Sequence, residues 1–290
     1  MAAFVLASAF YFPAWVTVLI LLIVTAVAQL EFYRMLDASG IPSFRIIGVL
    51  AGLFLFLTTI ADQVAPQIMP FEILALFILV FSVCIRMFPQ KNNPMPFPTI
   101  ACTIFGVLYV PFLIGFLAKI VFWDTTTFQS SLTPTGRLLA LYLITVVKMT
   151  DTGALIVGKL FGRHKMVPRI SPGKTWEGTM GGIVIGTLAG MLFIRLAGMR
   201  GPGGVWFLGT MPFSVPDMLA LGLTLAVISV PGDLVESLLK RAAGVKDSGA
   251  FLPGIGGMLD VMDSLLLTAP IMYYYLMFVK TFGALYNPGG

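Results

Sequence analysis

The sequence predicts an all-α, polytopic integral membrane bundle of about eight transmembrane helices, and three observations support this. The 290 residues are 58% hydrophobic and 11% charged, and the mean hydropathy is +0.96. A soluble domain carries about 25% charged residues, so the composition excludes an ordinary soluble enzyme. Eight apolar stretches approach the roughly 20 residues that cross a bilayer. These stretches are 10–30, 44–62, 70–88, 98–122, 135–158, 178–199, 214–238 and 262–282.

The breaks between these stretches are too short to hold a soluble domain, and no internal repeat is visible. We therefore expect one integrated membrane domain, with N-terminal helices in residues 1–135 and a catalytic region in residues 136–290. Residues 1–12, which end before Pro13, are too short to span a bilayer alone. The single histidine, His164, argues against a histidine-rich zinc or haem site.

The placement of basic residues predicts the orientation. If the loops between stretches are numbered in order, the odd loops hold most of the Lys and Arg. By the positive-inside rule, the odd loops are then cytoplasmic and both termini lie outside. The odd loops hold Arg34, Arg45, Arg86, Lys91, Lys159, Arg163, Lys165, Arg169, Lys174, Lys240, Arg241 and Lys246. The even loops and the adjoining helix ends hold Lys119, Arg137, Arg195 and Arg200.

Two stretches, 148–177 and 233–263, carry eight charged residues each. Both centre on the predicted cytoplasmic side, so they can converge on one site. Ordinary positive-inside loops would explain some of the cations. They do not explain the carboxylates, because membrane orientation requires no Asp or Glu at helix ends.

The helix predicted to end near residue 241 has one polar face. A polar stripe on an otherwise apolar spanning helix must face the protein interior or a wet cavity. An interhelical ion-pair stripe, with Glu236 bonded to Lys240, is the structural alternative, but it leaves Asp233 without a purpose. The face consists of Asp233, Glu236, Ser237, Lys240 and Arg241, at positions i, i+3, i+4, i+7 and i+8.

Asp260 and Asp263 share a helix face at the start of the last stretch, after the glycine-rich segment 253–257. Helix capping could account for one of them. It would hardly account for both together with Asp233. Carboxylates from two helices beside several cations suit Mg²⁺ that holds a polyphosphate, because Mg²⁺ completes its shell with phosphate oxygens and water.

The upstream stretch adds further polar groups. Lys148 and Asp151 lie three residues apart inside a span and could pair. Residues 171–177 offer hydroxyls, a cation and an aromatic face in a predicted loop before a helix. Gly173-Lys174-Thr175 resembles the end of a P-loop, but Pro168 stands where the first glycine of that motif belongs.

Taken together, these residues resemble the phosphatidate cytidylyltransferases, also called CDP-diacylglycerol synthases. The resemblance covers roughly 140–270 and rests on several spaced polar elements. An upstream Gly-Asp pair of that family matches Gly232-Asp233, and its Asp-Thr-Gly and Ser-Pro-x-Lys-Thr-x-Glu-Gly elements match 151–153 and 171–178. Its C-terminal signature matches Ser237, Lys240-Arg241, Lys246-Asp247, Pro253-Gly254, Gly256-Gly257, Asp260 and Asp263.

The resemblance implies transfer of CMP from CTP to phosphatidic acid, with release of pyrophosphate, and it implies roles for individual residues. The implied catalytic residues are Asp233, Lys240, Arg241, Lys246, Asp247 and Asp260. The implied Mg²⁺ ligands are Asp233, Glu236, Asp260 and Asp263. The implied substrate-binding residues are Asp151, Ser171, Lys174, Thr175, Trp176, Glu177 and Ser237.

This chain departs from the family pattern at two positions, where Ile255 replaces the usual His and Val261 the usual Arg. Isoleucine can neither move protons nor bind phosphate. Either the reaction does not need that His, or the activity of this protein is altered. We favour the first reading, because positioning and charge neutralisation carry most of nucleotidyl transfer.

Three other functions compete with this interpretation. An intramembrane aspartyl protease needs two carboxylates that share a proton, whereas the basic residues here would keep the acids ionised. An ion-coupled transporter would be favoured by inverted repeats. A CTP-dependent transferase could act on another lipid acceptor.

The predicted location is the cell inner membrane, with the active site at the cytoplasmic interface, where soluble CTP meets a lipid headgroup. The predicted partners are CTP, phosphatidic acid and membrane lipid, and no nucleic acid. The sequence leaves the acyl-chain preference, the metal count and the oligomeric state open, with a homodimer as one option.

Overall fold

The protein is described by a computed structural model that covers residues 14–64, 70–88, 93–123, 134–197, 214–249 and 256–286. Within these ranges, each apolar stretch predicted from the sequence coincides with a helix or with a continuous helical run. The helices are α1 (Ala14–Ala38), α2 (Arg45–Val64), α3 (Phe71–Met87), α4 (Pro96–Val107), α5 (Leu113–Val121), α6 (Pro134–Phe161), α7 (Trp176–Ala197), α8 (Val215–Ala242) and α9 (Met258–Tyr286).

Within the described ranges, seven helical runs are long and apolar enough to cross a membrane. The remaining predicted stretch is α3, a helix of 17 residues. This agrees with the predicted class of polytopic helical bundle. One run, Pro96–Val121, joins α4 to α5 through a π-helical turn at Leu108–Phe112 that contains Pro111. Proline lacks the amide hydrogen that an α-helix interior uses, and a π turn accommodates such an interruption.

Helices α6 and α7 pack closely because α7 turns a line of glycines toward α6. These glycines recur every fourth residue, which places them on one helix face. A Cβ added at Gly182 would lie 2.6 Å from the carbonyl oxygen of Thr150. Small residues at this spacing let helix backbones approach in membranes, where apolar burial gives little drive for association. The line consists of Gly178, Gly182, Gly186 and Gly190.

The all-α prediction missed one short sheet. Strands β1 (Lys165–Val167) and β2 (Ser171–Thr175) form an antiparallel hairpin between α6 and α7. Residues 171–177 were predicted as a loop, because Pro172 and Gly173 disfavour strands and no apolar alternation is present. The amide of Trp176 donates to the carbonyl of His164 at 3.0 Å, which extends the hairpin, and a tertiary contact from α8 holds the hairpin in place. Nε of Arg241 donates to the carbonyl of Ile170 at 3.3 Å.

The antiparallel helices give the bundle two ends with separate polar contacts. At one end α1 stops, α9 starts, and the amide of Leu259 donates to Glu31 at 2.8 Å. The hairpin lies at this same end, because Lys174 on β2 reaches Asp233 on α8. At the other end, Tyr275 of α9 donates to the carbonyl of Asp217 near the start of α8 at 3.0 Å.

Candidate active site

Five carboxylates from three helices gather at the hairpin end of the bundle. We call this group the acidic cluster. Helix α8 contributes two of them through the face predicted from the sequence, and α9 contributes two from its first turns. Helix α6 contributes the fifth. The cluster consists of Asp151, Asp233, Glu236, Asp260 and Asp263.

A close approach of α8 to α9 brings three members of the acidic cluster together. A Cβ added at Gly232 would lie 3.0 Å from Cα of Ser264, so a larger residue there would separate the two helices. Oxygen atoms of Asp233, Glu236 and Asp263 lie within 4.8 Å of one another. Two residues of α8 and one of α9 therefore form a three-carboxylate pocket.

Glu236 lies deepest in this group, with its side chain fully buried. Its Oε2 is 2.6 Å from Nζ of Lys240, and its carboxyl group also interacts with that of Asp260. The ion pair required by the structural alternative is therefore present. It engages Glu236, whereas Asp233 and Asp263 lie outside this pair.

Asp260 faces different partners from the other α9 carboxylate. Its Oδ1 lies 2.7 Å from Nζ of Lys240. Its Oδ2 accepts hydrogen bonds from the amide of Gly257 at 2.7 Å and from Oγ of Ser248 at 3.0 Å. Both oxygens are therefore engaged, and Asp260 fixes the loop before α9. Of the four metal ligands implied by the resemblance, the structure groups Asp233, Glu236 and Asp263 and places Asp260 beside them, bound to protein donors.

The β-hairpin carries a lysine to the acidic cluster. Nζ of Lys174 lies 2.8 Å from Oδ2 of Asp233, and both side chains are less than one third exposed. A cavity of about 270 Å³ opens beside this pair. It is lined by Asp151, Ser171, Lys174, Thr175 and Asp233, all predicted as site residues, and by several neighbours.

A second lysine closes the α6 side of the cluster. Nζ of Lys148 lies 3.6 Å from Asp151 and donates to the carbonyl of Val261 at 3.0 Å. Asp263 interacts electrostatically with Lys148, Asp151 and Asp233. Lys148 therefore links α6 to the start of α9 and holds Asp151 near the other carboxylates.

The charge balance of the site favours a cation. Five carboxyl groups face the ammonium groups of Lys148, Lys174 and Lys240, so the acidic groups outnumber the basic ones by two. Burying a charged group costs desolvation free energy, which a partner of opposite charge must offset. Oxygens that share one Mg²⁺ at about 2.1 Å lie up to about 4.2 Å apart. The observed 4.8 Å limit therefore fits a divalent ion after small side-chain rotations.

The other residues predicted for the site lie at its margins. Ser237 donates to Asp233 at 3.3 Å and so orients that carboxylate. Glu177 accepts a hydrogen bond from the amide of Arg163 at 3.1 Å, and Nδ1 of His164 lies 2.5 Å from it, so it holds the hairpin. The side chain of Trp176 is 51% exposed and does not line the cavity. Arg241, Lys246 and Asp247 are exposed at the end of α8 and in the turn that follows.

Sequence reasoning missed Glu31, a buried carboxylate on α1 that contacts the loop before α9. It is 1% exposed, and its Oε2 lies 3.2 Å from Oγ of Ser248. The signal for it is weak but present, because Glu31 is the first charged residue of the chain and adjoins an apolar run. Ser248 was missed as well, since a serine in a polar loop has no distinguishing pattern.

The fold and the site together define a polytopic membrane protein with an interfacial pocket of carboxylates and lysines, suited to a metal-bound polyphosphate. Residues 1–279 match the cytidylyltransferase family. The match covers far more than half of the chain, and the protein belongs to this family.

Individual relatives support this placement. The uncharacterized protein YnbB of Escherichia coli K12 is 34% identical over 211 residues, which are 72% of this chain and 65% of YnbB. A phosphatidate cytidylyltransferase of Haemophilus influenzae is 38% identical over 144 residues, 50% of this chain and 47% of that enzyme. The one from Synechocystis is 30% identical over 266 residues, 85% of this chain and 83% of that enzyme. The chain thus spans less than two thirds of the length of the first two relatives.

Proposed function

We propose that the protein is a phosphatidate cytidylyltransferase that makes CDP-diacylglycerol from CTP and phosphatidic acid. A phosphate oxygen of phosphatidic acid forms a bond to the α-phosphorus of CTP. The bond from that phosphorus to the oxygen bridging to the β-phosphate breaks, and pyrophosphate leaves with the electron pair. One soluble anion, CTP, and one lipid anion must therefore be bound together at a membrane interface.

The contact between Lys174 and Asp233 beside the cavity is the observation that carries this proposal. It places a cation from the hairpin against a carboxylate from a membrane helix, at the rim of a cavity of about 270 Å³. That volume lies near the lower end of ligand pockets and suits a triphosphate better than a whole nucleotide. Lys174 would neutralise phosphate charge, and the hydroxyls of Ser171 and Thr175 would donate to phosphate oxygens.

The three-carboxylate pocket of Asp233, Glu236 and Asp263 would hold Mg²⁺. When bound, the ion neutralises charge that develops on the phosphate oxygens. Asp151 adds negative charge from α6, while Lys148 keeps it close to the pocket. Lys240 balances Glu236 and Asp260, so it holds the geometry of the pocket rather than binding phosphate.

The proposed chemistry needs no general base at position 255, which lies outside the described residues. A phosphate monoester has a second pKa near 6, so near pH 7.5 the phosphate of phosphatidic acid is largely dianionic already. A base accelerates a step only where a proton must leave in the transition state. The isoleucine at this position is compatible with activity for that reason.

We assign catalysis to residues 136–290, with residues 1–135 as supporting membrane helices, and the site to the cytoplasmic face. The excess of Lys and Arg in the odd loops supports this orientation. The test is a cysteine at Lys165, which is exposed on β1, in a chain with Cys84 and Cys102 replaced by serine. A membrane-impermeant thiol reagent should label it only after cells are opened. Labelling in intact cells would show that the hairpin faces the outside, opposite to the proposed orientation.

Activity is tested with purified protein in detergent, CTP labelled in its α-phosphate, phosphatidic acid and Mg²⁺. Label should become extractable into organic solvent as CDP-diacylglycerol. The parallel reactions replace phosphatidic acid by another lipid phosphate or by a lipid alcohol. Transfer to one of those acceptors and none to phosphatidic acid would refute the proposed acceptor, and no transfer from CTP at all would refute the proposed reaction.

A further inference from the structure

A second cavity, of about 460 Å³, lies where α1 ends, α2 begins and α3 ends. It shares no lining residue with the cavity beside Lys174. Arg45 and Arg86 line it, together with Ser43 and Asp37. Because it lies at the ends of apolar helices, it is at the level where a bilayer meets water.

The two arginines in this cavity are only partly neutralised. The guanidinium of Arg86 lies 5.7 Å from the ring of Phe44, which is 8% exposed and therefore fixed. Among the described residues no carboxylate is within ion-pair distance of Arg86. Arg45 lies 3.6 Å from Asp37, but both side chains are about half exposed, and such pairs contribute little. The cavity keeps a net positive charge.

An apolar track leads away from the cavity along α2. Its four residues recur at intervals of four, four and three, so they lie on one helix face. A face of this kind on a spanning helix contacts lipid acyl chains. The guanidinium groups at its end are suited to bind phosphate, because their planar donors match its oxygens. The track consists of Ile46, Leu50, Phe54 and Leu57, which are 73%, 63%, 42% and 46% exposed.

We propose that this cavity binds the phosphate of an anionic membrane phospholipid, whose acyl chains lie along the apolar track. The buried hydroxyl of Ser43, which has no hydrogen-bond partner among the described residues, would donate to the same phosphate. Clustered basic residues at a membrane surface recognise anionic headgroups in this way. The proposal does not depend on the reaction assigned to the acidic cluster.

The test compares lipid retention by native mass spectrometry in detergent. The probes are dioleoylphosphatidylglycerol, dioleoylphosphatidylcholine and inorganic phosphate. Wild type should retain phosphatidylglycerol at least about tenfold more tightly than phosphatidylcholine. The Arg45→Gln/Arg86→Gln variant should lose that preference, which corresponds to about 1.4 kcal/mol of binding free energy. The control Arg163→Gln/Arg169→Gln removes the same amount of charge from exposed positions elsewhere. This control should retain the preference for phosphatidylglycerol.

An unchanged preference in the Arg45→Gln/Arg86→Gln variant would refute the site. Equal loss in the control would show that only bulk charge matters, which also refutes it. Displacement of phosphatidylglycerol by millimolar inorganic phosphate would show that the cavity binds free anions rather than a lipid, and this would refute the proposal. If the double variant does not fold, Arg86→Gln alone tests the same preference.

A separate observation concerns Glu31 of α1, which contacts the loop and the helix start beside the acidic cluster. Its Oε2 accepts from the amide of Leu259, in the first turn of α9, at 2.8 Å. Oγ of Ser248 lies 3.2 Å from Glu31 and 3.0 Å from Asp260. The fit is tight, because a Cβ added at Gly249 or Gly257 would lie 2.4 or 2.5 Å from the Glu31 oxygens.

The position of Glu31 relative to α9 explains what it controls. A carboxylate beside the free amides of a helix N-terminus stabilises that terminus. Asp260 and Asp263 lie in the first two turns of α9, so the placement of that terminus sets their positions. We infer that Glu31 is a positioning residue for the proposed reaction: it fixes the start of α9 and thereby the three-carboxylate pocket.

This inference rests on the proposed function, and its test separates the two. In Glu31→Gln, kcat should fall about tenfold or more, and the Mg²⁺ concentration for half-maximal activity should rise severalfold, while KM for CTP changes little. The control Glu72→Gln alters a buried acid at the other end of the bundle. It should leave the Mg²⁺ requirement unchanged.

A purely structural Glu31 would lower the thermal midpoint without changing the Mg²⁺ requirement, and that result would refute the inference. If Glu31→Gln does not fold, Ser248→Ala tests the same link to Asp260. An inactive wild type would instead refute the proposed function. An active wild type with an unaltered Glu31→Gln variant would refute only the positioning role.

Discussion

The two ends of the helical bundle both bury charged side chains, but in different proportions. At the end away from the hairpin, Glu72 of α3 pairs with Lys119 of α5 at 2.7 Å, and both side chains are mostly buried. Nζ of Lys119 also lies 5.0 Å from the ring of Phe116 and 5.5 Å from that of Tyr273. One acid meets one base, and aromatic faces complete the surroundings of the cation.

At the hairpin end, the five carboxyl groups of the acidic cluster outnumber its three lysines by two. A balanced pair needs no ligand, whereas an excess of buried carboxyl groups must be neutralised, either by a bound cation or by protons. Burial of charge therefore does not by itself mark a functional site. The imbalance between acidic and basic groups does mark such a site. Three predictions test this conclusion.

The largest effect is expected at Asp263, which lies in the three-carboxylate pocket. Asp263→Asn keeps the shape but removes one unit of negative charge from the proposed Mg²⁺ site. We expect loss of about 10³-fold in the rate of CDP-diacylglycerol formation, because several kcal/mol of charge stabilisation disappear. The measurement is the initial rate in detergent at saturating CTP and Mg²⁺.

Asp217→Asn is the matched control for Asp263→Asn, since it makes the same change near the far end of α8. Its activity should stay within about twofold of wild type. Retention of more than a tenth of wild-type activity by Asp263→Asn would remove this residue from the set of proposed metal ligands.

A smaller effect is expected at Lys174, which we assign to phosphate binding. Lys174→Met keeps the aliphatic stem and removes the charge. A hydrogen bond to a charged group contributes about 1.5–3 kcal/mol, so kcat/KM for CTP should fall about 10–100-fold. Lys165→Met, on the exposed strand of the same hairpin, should show no such loss. Equal losses in both variants would mean that the hairpin acts only through its overall charge.

The smallest effect on activity is expected at the balanced pair. Glu72→Gln should leave the rate within about twofold of wild type and lower the free energy of unfolding by about 1–3 kcal/mol, because Lys119 loses its charged partner. Thermal unfolding in detergent measures the second quantity. A large loss of activity with no loss of stability would contradict the division of the bundle into a structural end and a functional end.

Much of the fold is already encoded in the apolar stretches. Each predicted span is a helix, because a backbone in lipid must satisfy its own hydrogen bonds and a helix does so within one segment. The hairpin at 165–175 was not predictable in this way. Its strands are short, contain Pro172 and Gly173, and depend on contacts such as that of Arg241 with Ile170.

By itself, the sequence determined which polar residues share a helix face and which family they resemble. Helical spacing is local, so Asp233 and Glu236 on α8, or Asp260 and Asp263 on α9, could be paired from their numbers alone. The spacing could not say which oxygen atoms meet across helices. The tertiary structure decided that Asp263 joins the α8 carboxylates, while Asp260 is held by Lys240 and Gly257.

The tertiary structure also decided that Glu31, 228 residues away from Leu259, belongs beside the site. No local pattern encodes such a contact, because it depends on how α1 and α9 pack rather than on the period of either helix. The physical reason is the range of the interactions. Helix formation and lipid solvation act within one segment, whereas the meeting of charges at the end of a bundle depends on every helix that positions them.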